Sequence, residues 1–490
     1  MEKQLLGRGF ALAVVLLGGC TVGPDFIPPK WASPGSWFGG RTERPRPAPS
    51  IPVAAPIDPN WWTLFKDPEL TALERRVAGE NLDVRAATVR LAESRAQLGV
   101  ARAAEFPTLN GNASYQREKA SNVGVFSGSQ AAGSTAPAPG TQANGAAGNT
   151  AGGQAVHNLN PFDVYQFGFD ASWEVDFWGR VRRSVESAGA SLDASAEAQR
   201  ATLLSSLAEL ARDYIQLRGV QAQLQITREN VHTAQQSLEL TQQRAVGGVT
   251  TDLDVANASA QVRTTAAQLP NLEQQEAALI NAISLLLGQP PNALRRELIA
   301  AKPVPPVPPR VPVGLPSELA RRRPDIRQAE AQLHAATADI GVAVADFYPS
   351  VTLSGSVGLQ ALQPWQVFSL NARQYAFGPG ITVPIFQGGQ LRSTLLLREA
   401  QQQEAAVNYQ RTVLSAWHDV DNALTAYRAE QARRDQLVAA VEQNRRALSL
   451  ARSRYQQGVA DFLQVLDAER NLLSTQQQLA DSTTTVSANL

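Results

Sequence analysis

The chain has 490 residues, 43% of them hydrophobic, with 44 basic and 44 acidic side chains and a formal net charge of zero. Balanced charge excludes the basic excess of a nucleic-acid binder and the charge blocks of a disordered tail. A single Cys excludes a disulfide framework within the chain, and four scattered His without H-E-x-x-H spacing point away from a zinc site.

Residues 1–19 read as a signal peptide. Lys3 and Arg8 form a positive start, and Phe10 to Leu17 form an apolar stretch too short to span a bilayer. The segment ends Leu17-Gly18-Gly19-Cys20, which resembles the lipobox of bacterial lipoproteins. There the Cys becomes the first mature residue and carries the acyl groups, so a covalent lipid on Cys20 is expected and no other cofactor. Thr21, not Asp, follows the Cys, which implies sorting to the outer membrane. Residues 20–60 are Pro-rich and read as an extended, lipid-anchored tether.

The body divides into two repeats, 61–300 and 317–490, joined by a Pro-rich linker over 301–316. Asp83, Arg85, Leu91, Gly99 and Pro107 recur 242 residues later as Asp325, Arg327, Leu333, Gly341 and Pro349. Arg244, Gly248, Val249 and Leu253 recur 210 residues later as Arg454, Gly458, Val459 and Leu463. The first repeat is expected to hold a helix, two strands, a long helix and a returning helix. Its uncharged, Gly- and Ala-rich stretch 121–160 cannot bury a core and reads as a long surface loop between the strands.

Strands come next in each repeat. Tyr165, Phe167, Phe169, Ala171, Trp173, Val175 and Phe177 alternate with polar or small residues, a period of two. Shorter copies run over Leu109–Gln116 and Val351–Gln360, and a fourth candidate, broken by Gly and Pro, covers Tyr375–Phe386. A soluble sandwich gives the same alternation. A strand of this length, tilted, matches a bilayer core of about 30 Å, and its aromatic ends resemble interfacial girdles. Phe169, Trp173 and Val175 are then expected to face lipid or a neighbouring strand, and Asp170, Glu174 and Asp176 the lumen. Four strands cannot close a barrel, and an open edge cannot sit in lipid. Two chains would pool eight strands, and three would pool twelve, enough for a pore.

From Arg180 to Val246 there is no Pro, so the chain predicts one helix of about 100 Å. Leu203, Leu210, Leu217, Leu224, Val231 and Leu238 recur every seven residues, as do Val413, Val420, Tyr427, Arg434, Val441 and Leu448 in the second repeat. Beside the first row stand Gln221, Arg228, Gln235 and Gln242, so a helix sheet wetted on at least one side is expected.

Together these features resemble the TolC-like outer-membrane factors, in particular their lipoprotein (NodT-type) efflux branch. The resemblance rests on Cys20-Thr21-Val22-Gly23-Pro24-Asp25-Phe26 and on Trp61-Trp62 with Phe65. It also rests on Trp173-Glu174-Val175-Asp176-Phe177-Trp178-Gly179-Arg180, on Arg323-Pro324-Asp325-Ile326, and on Arg454-Tyr455-Gln456-Gln457-Gly458 with Leu463-Gln464-Val465-Leu466-Asp467-Ala468. It implies an α+β membrane protein with two internal repeats. Four strands per chain would join a homotrimeric twelve-strand outer-membrane β-barrel, continued by a long α-helical barrel in the periplasm. It implies a passive conduit for efflux, working with a periplasmic adaptor protein and, through it, an inner-membrane transporter. It further implies that the helix reversals Gly247, Gly248, Val249, Thr250 and Gly458, Val459, Ala460 meet the adaptor. By position Tyr455, Asp254 and Asp467 match a periplasmic gate, with Gln464 where the family pattern has an acid and Ala460 where some members carry Arg. No catalytic constellation appears, so no enzyme is expected. The alternative from another class is a periplasmic coiled-coil scaffold lipoprotein without a channel.

Overall fold

A computed structural model describes residues 21–29, 50–53, 55–56, 58–119, 161–314, 318 and 322–490. The signal peptide, Cys20 and the 121–160 loop expectation therefore lie outside the described residues. The chain forms two units. One holds residues 1–24, 99–186 and 338–398, and the other 25–98, 187–337 and 399–490.

The first unit is built on one antiparallel sheet. Its strands are β2 (Thr108–Glu118), β3 (Phe162–Val175), β5 (Ser350–Ala361) and β6 (Arg373–Thr382), in the order β2-β3-β5-β6. The register is unbroken: Phe169 faces Gly111 on one side and Val357 on the other, and Val357 faces Tyr375. One face therefore gathers the aromatic and branched residues, and the other Asn, Ser, Thr, Gln and Gly. Phe169, Trp173 and Val175 share the apolar face, and Asp170 and Glu174 the polar one, as the alternation requires. The outer edges of β2 and β6 have no partner strand among the described residues.

Two strand ends differ from the sequence expectation. β3 stops at Val175, so Phe177 and Asp176 lie beyond it. Asp176 instead accepts the backbone N–H of Arg182 at 2.9 Å and caps the next helix. Gly179, at φ 83°, makes the turn between them. β6 stops at Thr382, short of the Phe386 end expected.

The second unit is helical apart from one short pair of strands described below, and four of its described helices run on into the first. α1 (Pro68–Glu80) is capped by Asp67, whose side chain accepts from Glu69 and Leu70 N–H, with Pro68 at the first helical position. α2 (Leu82–Ala103) follows after Asn81, whose carboxamide oxygen accepts from Asp83 and Val84 N–H. α3 (Arg180–Val246) has 67 residues, as does α8 (Gln390–Gln456). α7 (Pro324–Ala345) matches α2 at 22 residues each, so helix lengths obey the repeat.

The returning arms break the repeat. After α3 come α4 (Asp252–Ala266) and α5 (Gln268–Leu286), whereas α9 (Phe462–Ala488) is continuous. The single returning helix expected for the first repeat is thus two. Pro270 explains the break: its ring clashes with the Ala266 carbonyl and it donates no hydrogen bond. A four-residue helix, α6 (Arg295–Leu298), precedes the Pro-rich linker. There Arg310–Pro312 (β4) pairs in parallel with Ile51–Val53 (β1), so the tether and the linker form a short two-stranded sheet that composition did not announce.

Leu210, Leu217 and Leu224 of the heptad row are buried, as are Val413, Tyr427, Val441 and Leu448 of the second row. The flank is less wet than expected: Arg228, Gln235 and Gln242 are exposed, but Gln221 is buried and bonds Glu276 at 2.9 Å and the Leu298 carbonyl at 2.8 Å. Beside it Arg218 is fully buried. Its guanidinium reaches Glu69 at 2.7 Å, Gln221 at 2.6 Å and the Ala300 carbonyl at 2.9 Å, and lies 4.7 Å from the Tyr214 ring centre. A charge so far from water persists only when most of its donors are matched, as both terminal nitrogens are here while Nε is not.

Candidate functional site

The two helix reversals have the same backbone. At the first, Val249 N–H bonds the Arg244 carbonyl at 2.9 Å and Gly248 N–H bonds the Ala245 carbonyl at 2.9 Å. At the second, Val459 N–H bonds the Arg454 carbonyl and Gly458 N–H the Tyr455 carbonyl, both at 3.0 Å. Each pair of bonds closes a helix end over a residue in the left-handed region. Gly248 at φ 72° and Gly458 at φ 77° fill that position, which a side chain would strain. The reversals leave apolar groups in the open: Val246, Val249 and Leu253 at the first, Val459 and Leu463 at the second.

The residues around the reversals are held differently. Tyr455 is buried, with its hydroxyl 3.5 Å from Thr241 Oγ1 and its ring 5.6 Å from that of Phe462. Arg244 lies over the same ring, 4.6 Å from its centre, and its Nη1 donates to the Tyr455 carbonyl at 2.8 Å and the Gln456 carbonyl at 3.0 Å. It thus supplies a cation and donors to the last carbonyls of α8, where the helix dipole favours both. Asp254 stays at its own reversal. It accepts from Thr250 Oγ1 at 2.6 Å and Thr251 Oγ1 at 3.0 Å, and closes a capping box with Thr251. The Thr250 hydrogen bond chiefly holds the Asp254 carboxyl below the ordinary aspartate range, helped by Thr251. Gln464 and Asp467 are exposed on α9. Within one chain, therefore, Tyr455, Asp254, Gln464 and Asp467 do not meet in a single cluster.

Two elements escaped sequence reasoning. Arg244 stood out only as a repeat partner of Arg454, and nothing in the sequence tells that the first is engaged and the second exposed. Further along, Arg452 Nη2 bonds the Glu469 carboxylate at 2.9 Å, Ser237 Oγ at 2.9 Å and the Thr233 carbonyl at 2.8 Å. Glu469 is buried and also accepts from Ser237 at 2.5 Å. This network ties α3, α8 and α9 together. Glu469 offers no distinctive spacing in the sequence, because its partners come from other helices.

The residues after Cys20 are placed by the strand-to-helix junction. Val22 N–H donates to the Trp178 carbonyl at 3.1 Å, and Arg183 Nε donates to the Val22 carbonyl at 3.3 Å. A Cβ on Gly179 would stand 3.0 Å from the Thr21 Cα, so the approach needs glycine. Trp178 stacks on Tyr348 at 4.7 Å. The chain just after the lipobox is thus fastened where β3 gives way to α3.

The family model of outer membrane efflux proteins matches residues 74–289 and 315–490. The chain belongs to the outer membrane efflux protein family. Among relatives of this family, the pyoverdine export outer membrane protein OpmQ of Pseudomonas aeruginosa is 33% identical over 469 residues, covering 95% of this chain and 90% of its own. The probable outer membrane lipoprotein SilC of Salmonella typhimurium is 31% identical over 433 residues, covering 87% and 85%. Among solved structures, the outer-membrane channel OprN superposes with a TM-score of 0.83 at 33% identity, covering 96% of this chain and 97% of its own. The protein is accordingly an outer-membrane efflux channel of the TolC-like fold. No described helix is long and apolar enough to cross a membrane. The two-faced sheet is the element suited to lipid.

Proposed function

We propose that three copies of this chain close one twelve-strand barrel in the outer membrane and form a passive duct, without a catalytic step, for a three-part efflux pump. The observation that carries this reading is the sheet with two unpaired edges, one apolar face and one polar face. Such edges are not tolerated in lipid, and joining β6 of one copy to β2 of the next removes them. A periplasmic adaptor would dock on the exposed valines and leucines at the two reversals and link the duct to an inner-membrane transporter.

A covalent lipid on Cys20 belongs to the same proposal. The fastening of Val22 to Trp178 would hold the acylated residue at the strand-to-helix junction, where the membrane boundary is expected. Each buried CH₂ of an acyl chain adds about 0.8 kcal/mol of membrane affinity. Cys20→Ser should accumulate unprocessed precursor without palmitate label; normal processing would refute the lipid assignment.

The resting duct is proposed to be closed at the reversals. Asp467, and Gln464 in the place of an acid, would face the entrance from α9. Tyr455 and Asp254 would act within each chain by holding its two helical hairpins in the closed position. Threefold symmetry repeats each contact, so contacts of about 1 kcal/mol add to a latch that a binding partner can reverse. The experiment is single-channel recording on purified trimers. Tyr455→Phe combined with Asp254→Ala should raise conductance without loss of the trimer. Unchanged conductance would remove these two residues from the gate, and the absence of any conductance from wild-type trimers would remove the channel itself.

A further inference from the structure

The apolar face of the sheet carries charge at one end only. Pairing without a bulge keeps the odd-numbered residues on that face through all four strands. Its charged residues are Arg117, Asp163 and Arg373, each at or next to a strand end. These are the ends remote from the long helices: β2 runs from α2 out to Arg117, while β3 and β6 run from Asp163 and Arg373 back to α3 and α8. With the helices in the periplasm, the three charges stand at the outer surface. The inner end of the same face holds Leu109, Trp173, Val175, Val351 and Ile381, without a charge.

Two residues inward of each charge is a tyrosine, Tyr115, Tyr165 or Tyr375. The rings of Tyr115 and Tyr165 lie 5.0 Å apart. Tyrosines ringing one end of an apolar band mark a lipid–water boundary. From Tyr165 to Val175, steps of about 3.3 Å tilted by about 40° cover roughly 25 Å, the height of the apolar band of a membrane barrel. Arg117, Asp163 and Arg373 therefore lie at the head-group level of the outer leaflet.

The two arginines belong to the strands whose edges are open. β6 has 10 residues and β2 has 11. When β6 of one copy joins β2 of the next, antiparallel and with odd faces matched, all of β6 is paired if Thr382 meets Thr108, and Arg373 then meets Arg117. A slip of two residues either way leaves the arginines diagonal, with Cβ atoms still within about 8 Å. Like charges so placed repel. Relief within the chain is partial. Arg117 lies 3.8 Å from Asp163, whose carboxylate also accepts from the Tyr115 hydroxyl at 2.9 Å, and Arg373 makes no ion pair among the described residues. Each seam thus keeps an excess of positive charge.

We propose that each seam of the barrel binds one phosphate-bearing lipid of the outer leaflet, its phosphate held between Arg373 of one copy and Arg117 of the next. This rests on the trimeric reading, which creates the seam. Two guanidinium forks match the oxygens of a phosphate. The acyl chains would lie along Tyr375, Phe377 and Ile381, all exposed on that face. A zwitterionic lipid fits less well, because its own ammonium group adds to the positive charge.

Native mass spectrometry of purified trimers titrated with diphosphorylated lipid A tests the site. One lipid per seam, three per trimer, should be retained. Parent trimers should bind lipid A stripped of both phosphates roughly tenfold more weakly, and trimers carrying Arg117→Gln or Arg373→Gln should weaken comparably toward intact lipid A. Phosphatidylethanolamine should not distinguish parent from variant, and excess inorganic phosphate should leave lipid A bound. Equal binding of the intact and stripped lipids, or equal retention by parent and variants, overturns the site. Loss with only one of the two variants would confine the site to one copy and overturn the seam. Displacement by inorganic phosphate would assign the site to the free ion and overturn the lipid. Chains that fail to migrate as trimers would instead overturn the closed barrel on which the seam rests.

Discussion

At the first reversal α3 ends at Val246 and α4 begins at Asp252; at the second, α8 ends at Gln456 and α9 begins at Phe462. Both spend five residues on the turn, with Gly at the left-handed position and Val after it. Their surroundings differ. The first reversal starts its outgoing helix with a closed capping box, Thr251 and Asp254, whereas Asp461 at the second makes no side-chain cap and Gln464 stands in place of Asp254. The first sends Arg244 across to the carbonyls of the second, and Arg454 returns nothing comparable and is exposed. A repeated turn motif thus fixes the backbone, while the divergent residues decide which hairpin supports the other. The second depends on the first.

Removing the crossing cation should have the largest effect. Arg244→Ala takes away two charge-assisted hydrogen bonds and a cation–π contact from the end of α8, worth about 2–3 kcal/mol together. Hydrogen exchange should rise over Ser453–Gln457, with little change after Arg454→Ala. Equal responses would mean that the dependence runs both ways.

Alanine at either left-handed glycine should cost about 1 kcal/mol. A Cβ fits at both sites, but Gly458→Ala is expected to be the more damaging, because backbone strain there shifts the Tyr455 and Gln456 carbonyls that Arg244 engages. Limited proteolysis at each turn measures this, and a more sensitive first turn would reverse the ranking.

Helix capping gives the next smaller difference. Thr251→Ala should loosen the start of α4 by about 0.5–1 kcal/mol, whereas Asp461→Ala should change α9 little. Amide exchange over the first turn of each helix separates the two, and equal protection losses would deny the capping box its role.

Acid should produce the smallest contrast. The Asp254 carboxyl lies below its ordinary value in the fold, so its stabilisation is complete above the unfolded aspartate range. It disappears as the pH falls through the lowered value. Because the group is largely exposed, only a few tenths of a kcal/mol are at stake. The ratio of pepsin cleavage at the first reversal to that at the second should climb between pH 5 and pH 2. A constant ratio would show that the box does not feel the proton.

Much of the architecture was written locally. Period-two alternation placed Phe169, Trp173 and Val175 on one face because a strand turns over at each residue, and an antiparallel register carries that parity from strand to strand. A Pro-free run fixed α3 from Arg180 to Val246, and the recurring Gly-Val pairs fixed both reversals. These properties depend on neighbours in sequence, so a sequence can declare them. Other features depend on what the fold brings near. Tyr455 matches a gate position by its motif, and only the fold shows that Arg244 and Phe462 pack on its ring. Gln221 reads as a wet flank position, yet α5 and the Leu298 carbonyl enclose it. Nothing in the sequence sets Glu74 apart. In the fold it is buried without a hydrogen-bond partner for either oxygen, and desolvation pushes its pKa to about 8. Burial and ion pairing are properties of contacts between separate helices, and only the tertiary structure assigns them.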